Sequence, residues 1–368
     1  MKILVVFGTR PEAIKMCPLV LELKKHKEIQ TVVCLTGQHK EMLKQVMDAF
    51  NLNEDYNLNI MKERQTLTTI TTSILEKIEA ILKNEKPDIV LVHGDTTTSY
   101  ASALASFYQQ IPVGHVEAGL RTGDIYSPYP EEMNRLMIDR LSTYYFAPTE
   151  LNKKNLLAEG IKKNIIVTGN TVIDSFAYTV KEDYKFHDEK LNGLDFNKRI
   201  VLLTAHRREN LGEGIKNICL AVSRLAEEYK DVDFIYPVHL NPAVRETVFS
   251  VLSDKKNVIL IDPVDVLDMH NMMSRCFMVM TDSGGIQEEA PHFGKPVLVL
   301  RTETERPEAV EAGTVKVVGV NKEKIYQEAK KLFDNKEAYQ SMANAINPYG
   351  DGHACGRIVK YLVQCYKK

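Results

Sequence analysis

The sequence predicts an α/β protein built from two doubly wound parallel-sheet domains, and three observations support that fold class. The 368 residues exceed what one ordinary core holds, because single hydrophobic cores stop growing near ~250–300 residues. Short Val- and Ile-rich runs alternate with longer amphipathic segments, as parallel strands buried on both faces and joined by helices require. The runs fall into two series, divided near residue 164.

Residues 3–7, 31–35, 89–93, 112–116 and 144–147 read as strands of a first sheet. Between them, 67–82 places Ile70, Ile74, Ile78, Ile81 and Leu82 on one stripe, which is helical spacing. A second series comprises 165–168, 200–204, 234–238, 258–261, 277–281, 297–300 and 315–318. The charged, poorly periodic stretch 181–198 reads as a surface excursion of the second half. With the boundary near Gly169, the domains are 1–169 and 170–353. In 354–366, Ile358, Tyr361, Leu362 and Cys365 form one apolar stripe, so this segment is expected to be a helix packing back on the first domain.

Composition narrows the function. A net charge of −2 gives no chain-wide attraction to nucleic acid or an anionic membrane, so any anion must be held locally. The six cysteines form no C-x-x-C pair, and Cys34 and Cys276 lie in apolar runs, which suits buried thiols in a reducing compartment. The apolar run ending at Phe7 is too short for a signal peptide or a membrane span, so a cytoplasmic location is expected.

Ligands of open parallel sheets bind beyond the carboxyl ends of the strands, so the residues after each apolar run carry the chemistry. The first half supplies Gly8-Thr9-Arg10-Pro11-Glu12, Thr36-Gly37-Gln38-His39, His93-Gly94-Asp95-Thr96 and His115-Val116-Glu117-Ala118-Gly119-Leu120-Arg121. The second half supplies Ala205-His206-Arg207-Arg208-Glu209-Asn210, His239 and Thr281-Asp282-Ser283-Gly284-Gly285. Ser283-Gly284-Gly285 stands between a strand and a helical run, where glycines admit close backbone approach and a helix start offers free N–H groups. Alone the tripeptide is equally a tight turn. The dipole contributes only ~0.3–2 kcal/mol, so a diphosphate also needs charged partners, and Arg10, His206, Arg207 and Arg306 are available.

Asp282-Ser283-Gly284-Gly285 is not a protease nucleophile, since its strand-to-helix setting is wrong for that motif and G-x-S-x-G is absent. The first turn lacks G-x-G-x-x-G, and the ten histidines form no H-E-x-x-H, so neither nicotinamide nor a catalytic metal is expected.

Asp95, Glu117 and Glu131 are candidates for removing a proton from carbon, which needs a carboxylate in reach with a tuned pKa. Asp95 has an equal alternative as the cap of the next helix, and Glu131 as a first-turn acid suited to the dipole. Glu117, between apolar Val116 and Ala118, is the best lone candidate. His206 is read as a phosphate donor in preference to a rim histidine. Of His93, His115 and His239, at least one is expected to be a structural hydrogen bonder.

Taken with Pro130-Glu131-Glu132, Asn134-Arg135, Ile286-Gln287-Glu288-Glu289 and Glu305-Arg306-Pro307-Glu308, these motifs closely resemble the non-hydrolysing UDP-N-acetylglucosamine 2-epimerases from the first strand past residue 310. The resemblance implies a GT-B-like pair of Rossmann-like domains with an interdomain cleft, and a homodimer. It implies reversible conversion of UDP-GlcNAc to UDP-ManNAc without NAD or metal, through elimination of UDP to a 2-acetamidoglucal and re-addition. The product would supply ManNAc-type sugars for surface polysaccharide. By the same resemblance Asp95, Glu117, Glu131 and His206 are catalytic. Arg10, Ser283, Gly284, Gly285 and Arg306 hold UDP, and Glu289 matches the ribose-binding carboxylate. Some members carry a second UDP-GlcNAc as activator, through positions matching Lys15, Gln38, Arg207 and His239. Glu41 stands where some of those members have glutamine, and Met269 where members often place an aromatic near the uracil. The rivals are a hydrolysing 2-epimerase, a GT-B glycosyltransferase and a nucleotide-sugar sensor, the last disfavoured by the three carboxylates.

Overall fold

The computed structural model describes all residues except 38–39, 63–64 and 367–368, with the main chain alone at 40–42. Two compact units result, residues 1–178 with 349–368, and residues 179–348.

The first unit is built on a seven-stranded sheet of β1 (Lys2–Phe7), β2 (Gln30–Leu35), β3 (Tyr56–Asn57), β4 (Ile89–His93), β5 (Val113–Val116), β6 (Tyr144–Ala147) and β7 (Ile165–Val167). Their order is β3-β2-β1-β4-β5-β6-β7, and all these pairings are parallel. The chain starts at β1, winds outward to β3, then returns to β4 on the other side. The exits of β1 and β4 therefore part, which creates the switch point where such sheets bind ligands. Leu4, Val6, Val90 and Val92 meet Ile70, Ile74, Ile78 and Ile81 of the helix Leu67–Glu85 in one core. Each fully buried aliphatic side chain there contributes roughly 1.5–3 kcal/mol.

The second unit repeats the design with β8 (Arg199–Thr204), β9 (Val232–Pro237), β10 (Val258–Ile261), β11 (Met278–Thr281), β12 (Val297–Val299) and β13 (Val315–Val317). The order β10-β9-β8-β11-β12-β13 puts its switch point between β8 and β11. Val201, Leu203, Phe234 and Tyr236 pack under Ile215, Ile218, Val222 and Leu225 of the helix Glu213–Glu228. Both units are Rossmann-like and doubly wound, the class expected from the alternating pattern.

Three details differ from the sequence expectations. Residues 165–167 do not open the second sheet but pair with β6 as the edge of the first. The division falls after Tyr178 and before Tyr349 instead of at 169 and 353. Long-range bonds set it: the Asp174 carboxylate accepts the N–H groups of Ala354 (3.1 Å) and Cys355 (2.8 Å), and Asn170 N–H donates to Tyr349 O (2.7 Å). The helix Ala354–Tyr366 packs against the helix Arg10–Lys24. Finally, 181–198 is no mere surface excursion, because Phe186 and Leu191 are buried and Phe186 stacks on Phe196. Asp268 fastens it by accepting from Tyr184 Oη and the N–H groups of His187 and Asp188.

All six cysteines are free thiols, and five are buried. Among the described residues no helix is long and apolar enough to cross a membrane. Gly119 closes the turn after β5 with φ +86°, and a Cβ there would lie 2.3 Å from the Asn152 carbonyl oxygen. Backbone cannot yield as a side chain would, so Gly119→Ala is expected to destabilise the first unit by about 1–3 kcal/mol. A urea midpoint equal to the wild type's would refute that steric account.

Candidate active site

In the first unit the exits of β1 and β4 are tied together before any ligand arrives. Thr9 caps the helix Arg10–Lys24, and Glu12 answers in a capping box, accepting the N–H groups of Gly8 (2.9 Å) and Thr9 (2.7 Å) on Oε2. Its other oxygen accepts from Thr96 Oγ1 (2.5 Å) and Ser99 Oγ (3.0 Å) beyond β4. Glu12 is buried, so its charge is spent on fixing two turns. Arg10 follows at the helix start, half-buried, and its guanidinium makes no hydrogen bond or ion pair among the described residues.

Glu117 follows β5 in left-handed backbone, φ +69°, with its N–H and that of Ala118 both donating to Phe146 O (3.0 and 3.1 Å). For a residue with a Cβ this conformation costs about 1–3 kcal/mol, and such strain concentrates at functional sites. Its carboxylate is largely buried. Lys15 Nζ donates to Oε2, Asn170 Nδ2 donates to the same oxygen (2.9 Å), and His93 Nε2 lies 3.6 Å away. Burial opposes the charged form, but Lys15 and His93 outweigh it and hold the carboxyl well below the usual carboxylate range. His93 is buried, and neither of its ring nitrogens has a hydrogen-bond partner among the described residues.

Asp95 does not cap the following helix. Thr96 does, accepting the N–H of Ser99 (3.1 Å), which releases Asp95 to pair with Arg135 through Nε (3.0 Å) and Nη2 (2.6 Å) on one carboxylate oxygen. Arg135 belongs to the helix Glu131–Leu141, whose Asn134 also donates to Asp95 O (2.8 Å). Glu131 begins that helix without capping it, and its Oε2 is buried with no hydrogen-bond partner among the described residues. His115 is the structural histidine of the strand ends. Its ring spans Gly94 O (2.7 Å) and Asp139 (2.6 Å), and Arg121 secures the other Asp139 oxygen (2.6 Å).

In the second unit the exits of β8 and β11 converge. The rings of His206 and His239 stack at 5.0 Å. His206 reaches solvent, yet partial desolvation pushes its pKa down, with Asp282 opposing and His239 and Arg207 adding to the fall. Ser283 opens the short helix Gly284–Glu289 without a side-chain capping bond, and its hydroxyl makes none elsewhere among the described residues. A Cβ on Gly284 would stand 3.6 Å from Arg306 Nη2 and 3.8 Å from Arg207 Nη2, so two guanidinium groups flank that glycine. Arg306 is oriented by Glu288, which accepts from its Nε. Glu289 Oε2 lies 3.7 Å from Nε2 of buried His270, and Oε1 would be 3.3 Å from a Cβ on Gly285. Met269 is half-buried on the same helix as His270, Val266–Arg275.

Three of the residues suspected of holding an activator lie beside groups already described. Lys15 sits on Glu117, Arg207 beside Gly284 and His239 against His206, while Gln38 lies outside the described residues, as does the side chain of Glu41. Sequence reasoning quoted Glu12 and Arg135 within motifs but gave them no role, and missed Asn170 and His270; each has a partner distant in the chain. One further cluster, His187, Asp265 and Asp268, has the donor types of a cation site. Its carboxylates are occupied, Asp265 capping the helix Val266–Arg275 through the N–H groups of Leu267 (2.8 Å) and Asp268 (3.0 Å).

Comparison with known proteins agrees with this architecture. Residues 21–363 match the family model described as UDP-N-acetylglucosamine 2-epimerase. The UDP-N-acetylglucosamine 2-epimerase of Bacillus subtilis (strain 168) is 54% identical over 367 residues, covering 100% of this chain and 96% of the relative. That of Escherichia coli (strain K12) is 52% identical over 371 residues, covering 98% of each. The crystal structure of the Neisseria meningitidis UDP-GlcNAc 2-epimerase bound to UDP-GlcNAc is similar with a TM-score of 0.89 at 52% identity, covering 99% of this chain and 100% of that one. The chain belongs to the UDP-N-acetylglucosamine 2-epimerase family.

Proposed function

We propose that this protein interconverts UDP-GlcNAc and UDP-ManNAc by eliminating UDP from the sugar and adding it back. The observation that carries this reading is the set of carboxylates Asp95 and Glu117, at strand ends, and Glu131, at a helix start, since a protein that merely bound an anion would gain nothing from them. Elimination removes the C2 proton and breaks the C1–O bond, so the electron pair of C–H becomes the C1=C2 bond of a 2-acetamidoglucal and UDP departs with the glycosidic oxygen. Re-addition returns that oxygen to C1 and a proton to the opposite face of C2. No redox partner is needed, so the proposal includes no nicotinamide, and it assigns the charge on the diphosphate to the guanidinium groups beside Gly284 in place of a metal.

The surroundings of the three carboxylates support a division of labour. Glu117 has Lys15 and Asn170 on one oxygen and is held ionised, which suits it to oppose positive charge developing at C1. Asp95 is locked by Arg135. Glu131 keeps a buried oxygen without a donor among the described residues, and we assign it the C2 proton. In the second unit Ser283, Gly284, Gly285, Arg207 and Arg306, with His206, form the cradle for the diphosphate, and Arg10 is likewise assigned to UDP. Preorganised donors matter most where leaving-group charge grows, and losing one raises the barrier by roughly 2.7–4 kcal/mol. Glu289 is assigned to the ribose. A homodimer, and supply of ManNAc-type sugars to surface polysaccharide, belong to the same proposal.

Proton NMR of purified protein with UDP-GlcNAc in deuterated buffer, without nicotinamide or added metal, tests this directly. UDP-ManNAc carrying deuterium at C2 is the expected product. Accumulating free ManNAc would indicate a hydrolase, and unchanged substrate that still raises the melting temperature would indicate a sensor.

A further inference from the structure

Asp282 ends the run of β11 fully buried, yet its Oδ1 has no hydrogen-bond partner among the described residues. A bare carboxylate oxygen in the interior is costly, so its retention calls for a compensating task. That task lies on Oδ2, which accepts the N–H of His206 (2.9 Å), the N–H of Arg207 (2.8 Å) and Nδ2 of Asn210 (3.0 Å). Asn210 Nδ2 also donates to Leu300 O (3.0 Å) beyond β12. One oxygen thus fastens the turn after β8 to the turn after β11, where Ser283 and Gly284 begin. A neutral amide would accept the same bonds more weakly, because charge-assisted hydrogen bonds are roughly twice as strong. The carboxylate further places negative charge beside the imidazole of His206, whose other charged or titratable neighbours are His239 and Arg207.

We infer that Asp282 is a positioning residue: it sets the main chain of His206 and Arg207 so that both side chains meet the diphosphate beside Gly284. The inference rests on the UDP-binding reading above. Calorimetry with UDP and with uridine, which lacks phosphate, separates the two. Asp282→Asn is expected to weaken UDP at least about tenfold while changing uridine less than about twofold, and to move the NMR titration of His206 to lower pH. Combining it with Arg207→Ala should cost less than the two single losses together, because both act through one contact. Asn210→Ala, which removes only one donor, should shift UDP affinity in the same direction by a smaller factor and serves if Asp282→Asn does not fold. Equal weakening of UDP and uridine, or full additivity with Arg207→Ala, would overturn the inference. Wild-type protein that binds UDP no better than uridine would instead overturn the diphosphate reading on which it stands.

Discussion

Glutamine at Glu117 is expected to lower kcat by about 10²–10⁴-fold while leaving UDP affinity within about twofold, because the lost charge acts on the sugar and not on the diphosphate. The pH profile identifies how the carboxylate is kept charged. Lys15 and His93 hold it well below the usual carboxylate range against the opposing effect of burial, so a wild-type acid limb should not arise from Glu117 across ordinary carboxylate titration. Lys15→Met removes the cation on Oε2. His93 is then left to oppose burial without the ammonium, the Glu117 pKa rises, and activity should fall from a higher pH downward. An acid limb that stays in place in Lys15→Met would show that the ammonium does not control this group. Glu131→Gln distinguishes the other role: C2 deuterium exchange should vanish with UDP binding intact. Full exchange in that variant would remove Glu131 from proton transfer.

These outcomes depend on contacts of which the sequence revealed only half. Periodicity located the strands that carry chemistry, since a buried parallel strand needs an unbroken apolar run and a helix needs a stripe. It missed β3 and misplaced β7, which span two and three residues and are half-buried, too short for any period. The unit boundary was equally illegible, because the bonds from Asp174 to Ala354 and Cys355 bridge 180 and 181 positions. Glu117 stood out because a carboxylate flanked by Val116 and Ala118 has no evident structural purpose. Its partner Lys15 lies 102 residues away, where no local pattern reaches. Asp95 was ambiguous for a local reason. Asp95 and Thr96 both suit an N-cap, and only the observed bond from Ser99 N–H to Thr96 shows which one serves and which is left for Arg135. His93 and His115 sit at equivalent strand ends, yet one ring is doubly hydrogen-bonded and the other only faces Glu117, without a hydrogen-bond partner among the described residues, a difference made by the helix Glu131–Leu141 through Asp139.

A second large effect is expected in the acid stability of the unit that carries Glu289. His270 is buried on the helix Val266–Arg275, with Thr179 Oγ1 2.8 Å from Nδ1. Desolvation pushes its pKa from 6.5 down to about 3, with Asp265 opposing only weakly. Glu289 Oε2 lies 3.7 Å from Nε2. The folded state therefore keeps His270 neutral where the unfolded chain takes up a proton. Its contribution is complete above pH 6.5 and is lost progressively as pH falls toward about 3, amounting to roughly 4–5 kcal/mol over that window. About 2 kcal/mol of this should disappear between pH 7 and pH 5. His270→Gln cannot titrate, so its stability deficit relative to wild type should shrink by that amount over the same interval, read from urea unfolding of the second unit. Parallel stability curves for the two proteins would mean that His270 accepts its proton in the folded state, with Glu289 turning to meet it. In that case UDP affinity should fall together with the pH, since the carboxylate assigned to the ribose would be drawn away from it.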